Sequence, residues 1–253
     1  MKIQFASDLH LEFPENKEFL RCNPLIPVGD ILILAGDIVP FSLMDQHDDF
    51  FKFCADNFKA TYWIPGNHEY YHGDLTLRTG QFIENIKPNV HLVNNYWVHY
   101  DNVRIIFSTL WTPISLDNAW RIQCGINDYS QIKDDNYPFT TYRSNELFNE
   151  NITFIKEAVS NNEKEKCIVV THHVPTFNNY PEEFKDSNVN EAFAVELYDY
   201  IEDSSIDYWI FGHHHRNVEN FKIGETELMT NQLGYIRYNE NIRFNHTIAL
   251  NTV

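Results

Sequence analysis

The sequence predicts a layered α/β fold, a pair of mixed sheets with flanking helices, from three observations: short apolar runs of buried-strand type, amphipathic stretches of helical period between them, and a hairpin-rich tail. The runs are Ile3 to Ala6, Ile31 to Ala35, Tyr62 to Ile64, Val103 to Phe107, Cys167 to Val170 and Tyr208 to Phe211. Each is too short for a helix and rich in β-branched or aromatic residues, the composition of a strand covered on both faces.

Helical period follows in the gaps. Phe148, Ile152, Ile155 and Val159 share one face, and Phe193, Leu197 and Ile201 repeat the spacing behind an Asn190 cap. Met44 to Phe58, with Phe50, Cys54 and Phe58 in register, predicts a third helix. From Glu219 to Val253, the pairs Gly224-Glu225 and Asn239-Glu240 predict hairpin turns. Leu110 to Thr140 has no clean period and is long for a connector, so a partly structured lid is expected; Tyr180 to Asn190 reads the same way. A length of 253 residues, 43% of them apolar, suffices for one core, so a single domain spanning 1–253 is expected.

Charge narrows the function classes. With 36 acidic and 19 basic residues the formal charge is −17, which opposes non-specific attraction to nucleic acid or anionic membranes and favours a small-molecule partner. Bound cations would make a local exception inside that acidic shell. Cys22, Cys54, Cys124 and Cys167 form no Cys-x-x-Cys pair, so neither a zinc cluster nor a disulfide framework is indicated. The strand-like start and the lack of a membrane-length apolar segment lead to an expectation of a cytoplasmic protein.

Five of the six apolar runs end in polar clusters: Ser7-Asp8-Leu9-His10, Gly36-Asp37, Pro65-Gly66-Asn67-His68-Glu69, Thr171-His172-His173 and Gly212-His213-His214-His215. The carboxyl edge of a parallel sheet is where binding crevices form, with a rigid scaffold below and free loops above. If the strand pattern persists, Asp8 and His10 point to one side and can grip one ion, as can His213 and His215. Carboxylate, imidazole and amide donors without thiolate suit Mn, Fe or Zn in a non-structural site. Asp37, with two oxygens, is the natural bridge between two ions, and Asn67 offers a neutral carbonyl.

Taken in order, these residues resemble the calcineurin-like metallophosphoesterases, specifically the small bacterial type, whose signature runs Asp-x-His, Gly-Asp, Gly-Asn-His-Glu, a later His and Gly-His-x-His. The resemblance spans Asp8 to His215 and implies a four-layer α/β/β/α sandwich. It implies one ion at Asp8, His10, Asp37 and His215, and a second at Asp37, Asn67, His172 and His213. His172 is preferred to His173 because it directly follows the apolar run. Glu69 is expected to orient the cluster, and His214 to face the other side of its strand. The run Gly36-Asp37-Ile38-Val39-Pro40-Phe41 lacks the arginine of the protein serine/threonine phosphatase branch, and His68 stands where the lipid A pyrophosphatase branch has arginine.

The implied chemistry is hydrolysis of a small phosphomonoester or phosphodiester by a hydroxide bridging two divalent ions, with His68 as the acid that protonates the leaving oxygen. The alternatives are a non-catalytic metal-binding scaffold on the same fold and a nuclease; turnover with added Mn excludes the first, and salt-dependent DNA binding would mark the second. Because no covalent nucleophile is apparent, chelation is expected to abolish phosphoesterase activity and Mn to restore it. Full turnover by metal-free protein in a colorimetric phosphate-release assay would overturn this mechanism.

Overall fold

In the computed structural model, which describes residues 1–161 and 165–252, two six-stranded sheets lie face to face. The first contains β1 (Lys2–Ala6), β2 (Ile31–Ala35), β3 (Ala60–Ile64), β4 (Phe82–Lys87), β5 (Val90–Asn94) and β14 (Ala249–Asn251). β1, β2, β3 and β5 run parallel, with β14 and β4 antiparallel at the edges. The second contains β6 (Tyr96–Tyr100), β7 (Val103–Ser108), β10 (Lys166–Thr171), β11 (Tyr208–Phe211), β12 (Phe221–Ile223) and β13 (Thr226–Thr230). Its four central strands, β13, β11, β10 and β7, are again parallel, between antiparallel β12 and β6. A small ribbon, β8 (Lys133–Asp134) with β9 (Tyr137–Pro138), stands apart.

Because successive side chains in a strand point to opposite faces, a sheet covered on both faces needs an unbroken apolar run. β2 shows how. Ile31, Ile33 and Ala35 join Phe5, Ile105, Phe107, Ile168 and Ile210 in the layer between the sheets. Leu32 and Leu34 face outward with Trp63 and Leu92, against Leu20 of α1 (Pro14–Cys22) and Phe51 and Cys54 of α2 (Asp48–Asn57). On the far side, Ile106, Val169 and Trp209 meet Ile152, Ile155 and Val159 of the twenty-residue α5 (Thr141–Ser160) and Ile201 of α6 (Tyr198–Asp203). The result is the four-layer α/β/β/α sandwich.

All six predicted runs are strands, and α5 starts at the Thr140 cap, whose side chain accepts a hydrogen bond from the Arg143 N–H. Other expectations need correction. Met44 to Phe58 is a 3-10 segment over Phe41–His47 followed by α2. The helix expected from Phe193 starts only at Tyr198, because the backbone before it is engaged elsewhere: Val174 N–H donates to Phe193 O, and Val195 N–H to Val174 O. Asn190 therefore caps nothing and instead donates its amide to Phe184 O. The hairpin at Gly224-Glu225 forms between β12 and β13, but Asn239-Glu240 makes no hairpin. Asn239 adopts a left-handed conformation (φ 57°) between two 3-10 turns, and the chain end pairs with β1.

The stretch expected to be a partly structured lid is well packed. It holds α3 (Leu116–Gly125), α4 (Asp128–Gln131) and the β8–β9 ribbon around a cluster of Trp111, Ile122, Tyr129, Ile132 and Phe139. No described helix is long and apolar enough to cross a membrane. Ile105, fully buried between the sheets, tests the architecture. Ile105→Ala should cost about 2–5 kcal/mol in urea unfolding. A cost under about 0.5 kcal/mol, the size of a surface change, would show that the layer between the sheets is not the core.

Candidate metal centre

The parallel strands carry the polar clusters to one edge, but the residues do not continue as strand. Asp8, His10, Asp37, His213 and His215 all have positive φ, from 48° to 82°. The alternation expected for Asp8 and His10, and for His213 and His215, is replaced by left-handed turns that bend each side chain inward. Left-handed backbone at non-glycine residues costs about 1–3 kcal/mol each and persists only where surrounding contacts impose it. Those contacts are between loops: Asp8 N–H donates to Gly36 O at 2.9 Å, His10 N–H to Asp37 O at 3.0 Å, Gly234 N–H to Asp8 O at 3.1 Å and Gly212 N–H to His172 O at 3.0 Å.

Two donor groups form, sharing one carboxylate. The ligand atoms of Asp8, His10, Asp37 and His215 lie within 4.8 Å of one another, and so do those of Asp37, His172 and His213. Asp37 divides its oxygens between them, with Oδ2 3.7 Å from His10 Nε2 and Oδ1 3.4 Å from His172 Nε2. Asn67 belongs with the second group, its Oδ1 3.1 Å from His172 Nε2. The amide is held in that sense by Asp128, which accepts from Asn67 Nδ2 at 2.8 Å and from the Tyr71 hydroxyl at 2.7 Å. Gly66 is required by this crowding: a Cβ there would fall 2.2 Å from Asp37 Oδ1 and 2.6 Å from His172 Nε2.

The donor chemistry fits divalent cations. His172 Nδ1 lies 3.0 Å from Ala35 O, which can only accept, so Nδ1 carries the proton and Nε2 presents a lone pair. Burial lowers His10 and His172 to about 4 and drives His213 well below its ordinary value, so these imidazoles are neutral. His213 presents Nδ1 to the group, 3.0 Å from His172 Nε2, and its Nε2 is buried with no hydrogen-bond partner among the described residues. His10 Nδ1 lies 3.1 Å from Glu12 and His215 Nδ1 2.8 Å from Glu240, which turns both Nε2 atoms toward each other at 2.9 Å. Burial opposes charge on His215, yet its bonds to Asp8 and Glu240 outweigh burial and raise it to about 9. Proton and cation compete for that nitrogen.

Burial pushes Asp37 well above the usual carboxylate range, and repulsion from Glu69 and Asp8 adds to it. Two cations at its two oxygens would remove that penalty.

His173 stands outside the cluster, with Nδ1 3.2 Å from Thr109 O and its ring packed on Trp111. His214 is buried and lies against Gln232, Tyr180 and Phe211. Glu69 reaches neither donor group. It accepts from the N–H groups of Asp37, Ile38 and Gly66 and from Trp63 Nε1 at 2.6 to 3.0 Å. His68 lies at the rim, with Nδ1 3.1 Å from Glu12 Oε1 and Nε2 3.3 Å from the Tyr235 hydroxyl.

The model of the calcineurin-like phosphoesterases matches residues 1–217, which include every residue of both donor groups. The chain belongs to the calcineurin-like phosphoesterase family. It is a metal-dependent phosphoric ester hydrolase, and the buried histidine and aspartate cluster is its dinuclear site for divalent cations. Over an alignment of 263 residues this phosphoesterase is 33% identical to an uncharacterized protein of Acanthamoeba polyphaga mimivirus, covering 92% of this chain and 91% of the relative. Its fold is similar to that of the phosphopantetheinyl hydrolase of Mycobacterium tuberculosis, with a TM-score of 0.74 and 14% identity over 98% of this chain and 95% of that one.

Sequence reasoning missed Glu12, Asp128, Tyr71, Tyr235 and Glu240. Glu12 alone left a trace, as the next alternate residue after Asp8 and His10; Asp128 lies 61 positions from the amide it holds. The shared position of Asp37 generates a test. Asp37→Asn should keep the fold but reduce bound Mn from two ions to one or fewer, read by elemental analysis after gel filtration. Retention of two tightly held ions would refute a bridging place for this carboxylate.

Proposed function

We propose that this phosphoesterase hydrolyses a small-molecule phosphomonoester or phosphodiester at two cations, one held by Asp8, His10, Asp37 and His215, the other by Asp37, Asn67, His172 and His213. The observation that carries this reading is the division of the Asp37 oxygens between two sets of imidazoles. When bound, the ions supply an activated water and positive charge opposite the charge that gathers on the phosphoryl oxygens. Nitrogen and oxygen donors without thiolate suit Mn, Fe or Zn in these places.

The chain's own residues supply orientation and a proton. Asn67 contributes a neutral oxygen, so the second set carries less negative charge than the first. His68 cannot readily turn into the same ion as its neighbour Asn67; its Nδ1 faces Glu12, whose hydrogen bonds to His10 and His68 outweigh burial and hold it at about 2. That ionised carboxylate fixes the ring and leaves Nε2 to give its proton to the departing oxygen. Tyr71, stacked on His68 with ring centroids 4.1 Å apart, limits the ring's other orientations.

Small size of the substrate is supported by a cavity of 440 Å³ beside Asp37, Asn67 and His68, and by the net charge of −17, which disfavours nucleic acid. Free thiols at Cys22, Cys54, Cys124 and Cys167 suit a reducing, cytoplasmic setting.

A general acid matters most when the leaving group is a poor one. His68→Ala is therefore expected to slow alkyl phosphate esters by an additional factor of about a hundred relative to nitrophenyl esters, with both ions retained. Equal losses on both ester types would replace the acid role with charge stabilisation. Loss of bound metal would make His68 a support of the ion site.

A further inference from the structure

The cavity is larger than a phosphoryl group needs, and its outer walls are of a different character from its floor. Beyond the metal cluster it is enclosed by Gly125–Asp128, where α3 passes into α4, and by the segment from Tyr180 to Phe193. Ile126, Phe184 and Val189 are half-buried there, packed against core clusters with apolar surface turned to the cavity. Asn127, Ser187 and Asn190 alternate with them.

Charge is the second observation. None of the described residues lining the cavity is lysine or arginine, and Asp128 and Glu240 are both acidic. The arginine that reaches this wall, Arg216, lies over the Phe184 ring at 5.4 Å and is bound by Glu183 and by Glu240 at 3.2 Å. With Arg216 committed to these carboxylates, the positive charge that draws a phosphoryl group would come chiefly from cations at the floor. They would hold one phosphoryl group, and a second anionic group further out would meet no uncommitted cation among the described residues.

Building on the proposed phosphoester chemistry, we propose that the substrate's organic half is uncharged and carries an aromatic ring, seated between Phe184 and Ile126. Stacking and apolar contact recognise the ring. The amide of Asn127 and the hydroxyl of Ser187 meet polar groups at its edge. Nucleoside polyphosphates, phosphorylated acids and nucleic acid fall outside this class.

Three phosphomonoesters with alkoxide leaving groups of similar basicity separate the ideas: propyl phosphate, 2-phenylethyl phosphate and the para-carboxylate of the latter, with p-nitrophenyl phosphate as the control. For the Mn-loaded protein, kcat/KM for the phenylethyl ester should exceed that for the propyl ester by about tenfold, the discrimination typical of an apolar pocket. It should exceed the carboxylate analogue by a similar factor, about tenfold, through like-charge repulsion. Phe184→Ala should shrink the phenylethyl-to-propyl ratio toward one. Ser187→Lys, which adds a cation at an exposed position, should raise the carboxylate analogue relative to its neutral parent. Equal kcat/KM on all three alkyl esters with p-nitrophenyl phosphate turned over, or a ratio unmoved by Phe184→Ala, would overturn the substrate class alone. Failure on all four monoesters and on the diester bis(p-nitrophenyl) phosphate with two ions bound would overturn the phosphoester reading, and the substrate class with it.

Discussion

One buried carboxylate fixes the loops on which the centre is built. Glu69 touches no candidate ligand atom, yet five N–H donors converge on it from Asp37, Ile38, Val39, Gly66 and Trp63. It ties the loop after β2 to the loop after β3. A carboxylate taken out of water is costly unless every lone pair is engaged, and these donors would themselves be orphaned without it. With the two loops locked, the His68 N–H donates to Asp37 Oδ1 at 2.9 Å, and Asp37 is held where its oxygens face opposite sides. The glycine at position 66 follows from the same constraint, since the loops approach too closely for any side chain.

The strain at this edge is borne by the sandwich beneath it. Five residues in left-handed conformations, at about 1–3 kcal/mol each, are a substantial load against the marginal net stability of a folded chain. Two sheets with parallel central strands, apolar on both faces, give a scaffold stiff enough to carry it. Parallel pairing also sets the direction of the strands, so that β1, β2, β3, β10 and β11 all deliver their polar loops to one edge.

Electrostatics are divided by depth. At the floor, imidazole nitrogens and carboxylate oxygens converge, an arrangement complementary to divalent cations. Around it, the hydrogen bonds of Glu12, Glu240 and Asp128 select which atom of His10, His215 and Asn67 faces inward. Further out the walls are apolar or amide-bearing, and the guanidinium of Arg216 is committed to Glu183 and Glu240. A chain of net charge −17 thus confines its attraction for anions to one small volume.

Much of this was legible in the sequence because burial on both faces demands continuous apolar runs, and such runs ending in Asp, Asn and His clusters are rare enough to be informative. The layered fold, six of the eight parallel strands, α5 and the identity of the clustered residues followed from that pattern. β4 to β6 were not legible: Phe82–Lys87 and Tyr96–Tyr100 are edge strands whose half-exposed faces carry mixed residues. Nor was the helix start at Tyr198, decided by pairing of Phe193 and Val195 with Val174. At the centre, the sequence determined which donors are present and their order along the chain. Only the tertiary structure decided how they meet, through left-handed turns where alternation predicted strand, and through carboxylates such as Asp128 and Glu240 contributed from distant segments. Backbone conformation at a loop is set by hydrogen bonds to neighbouring loops, and those partners are adjacent in space without being adjacent in sequence.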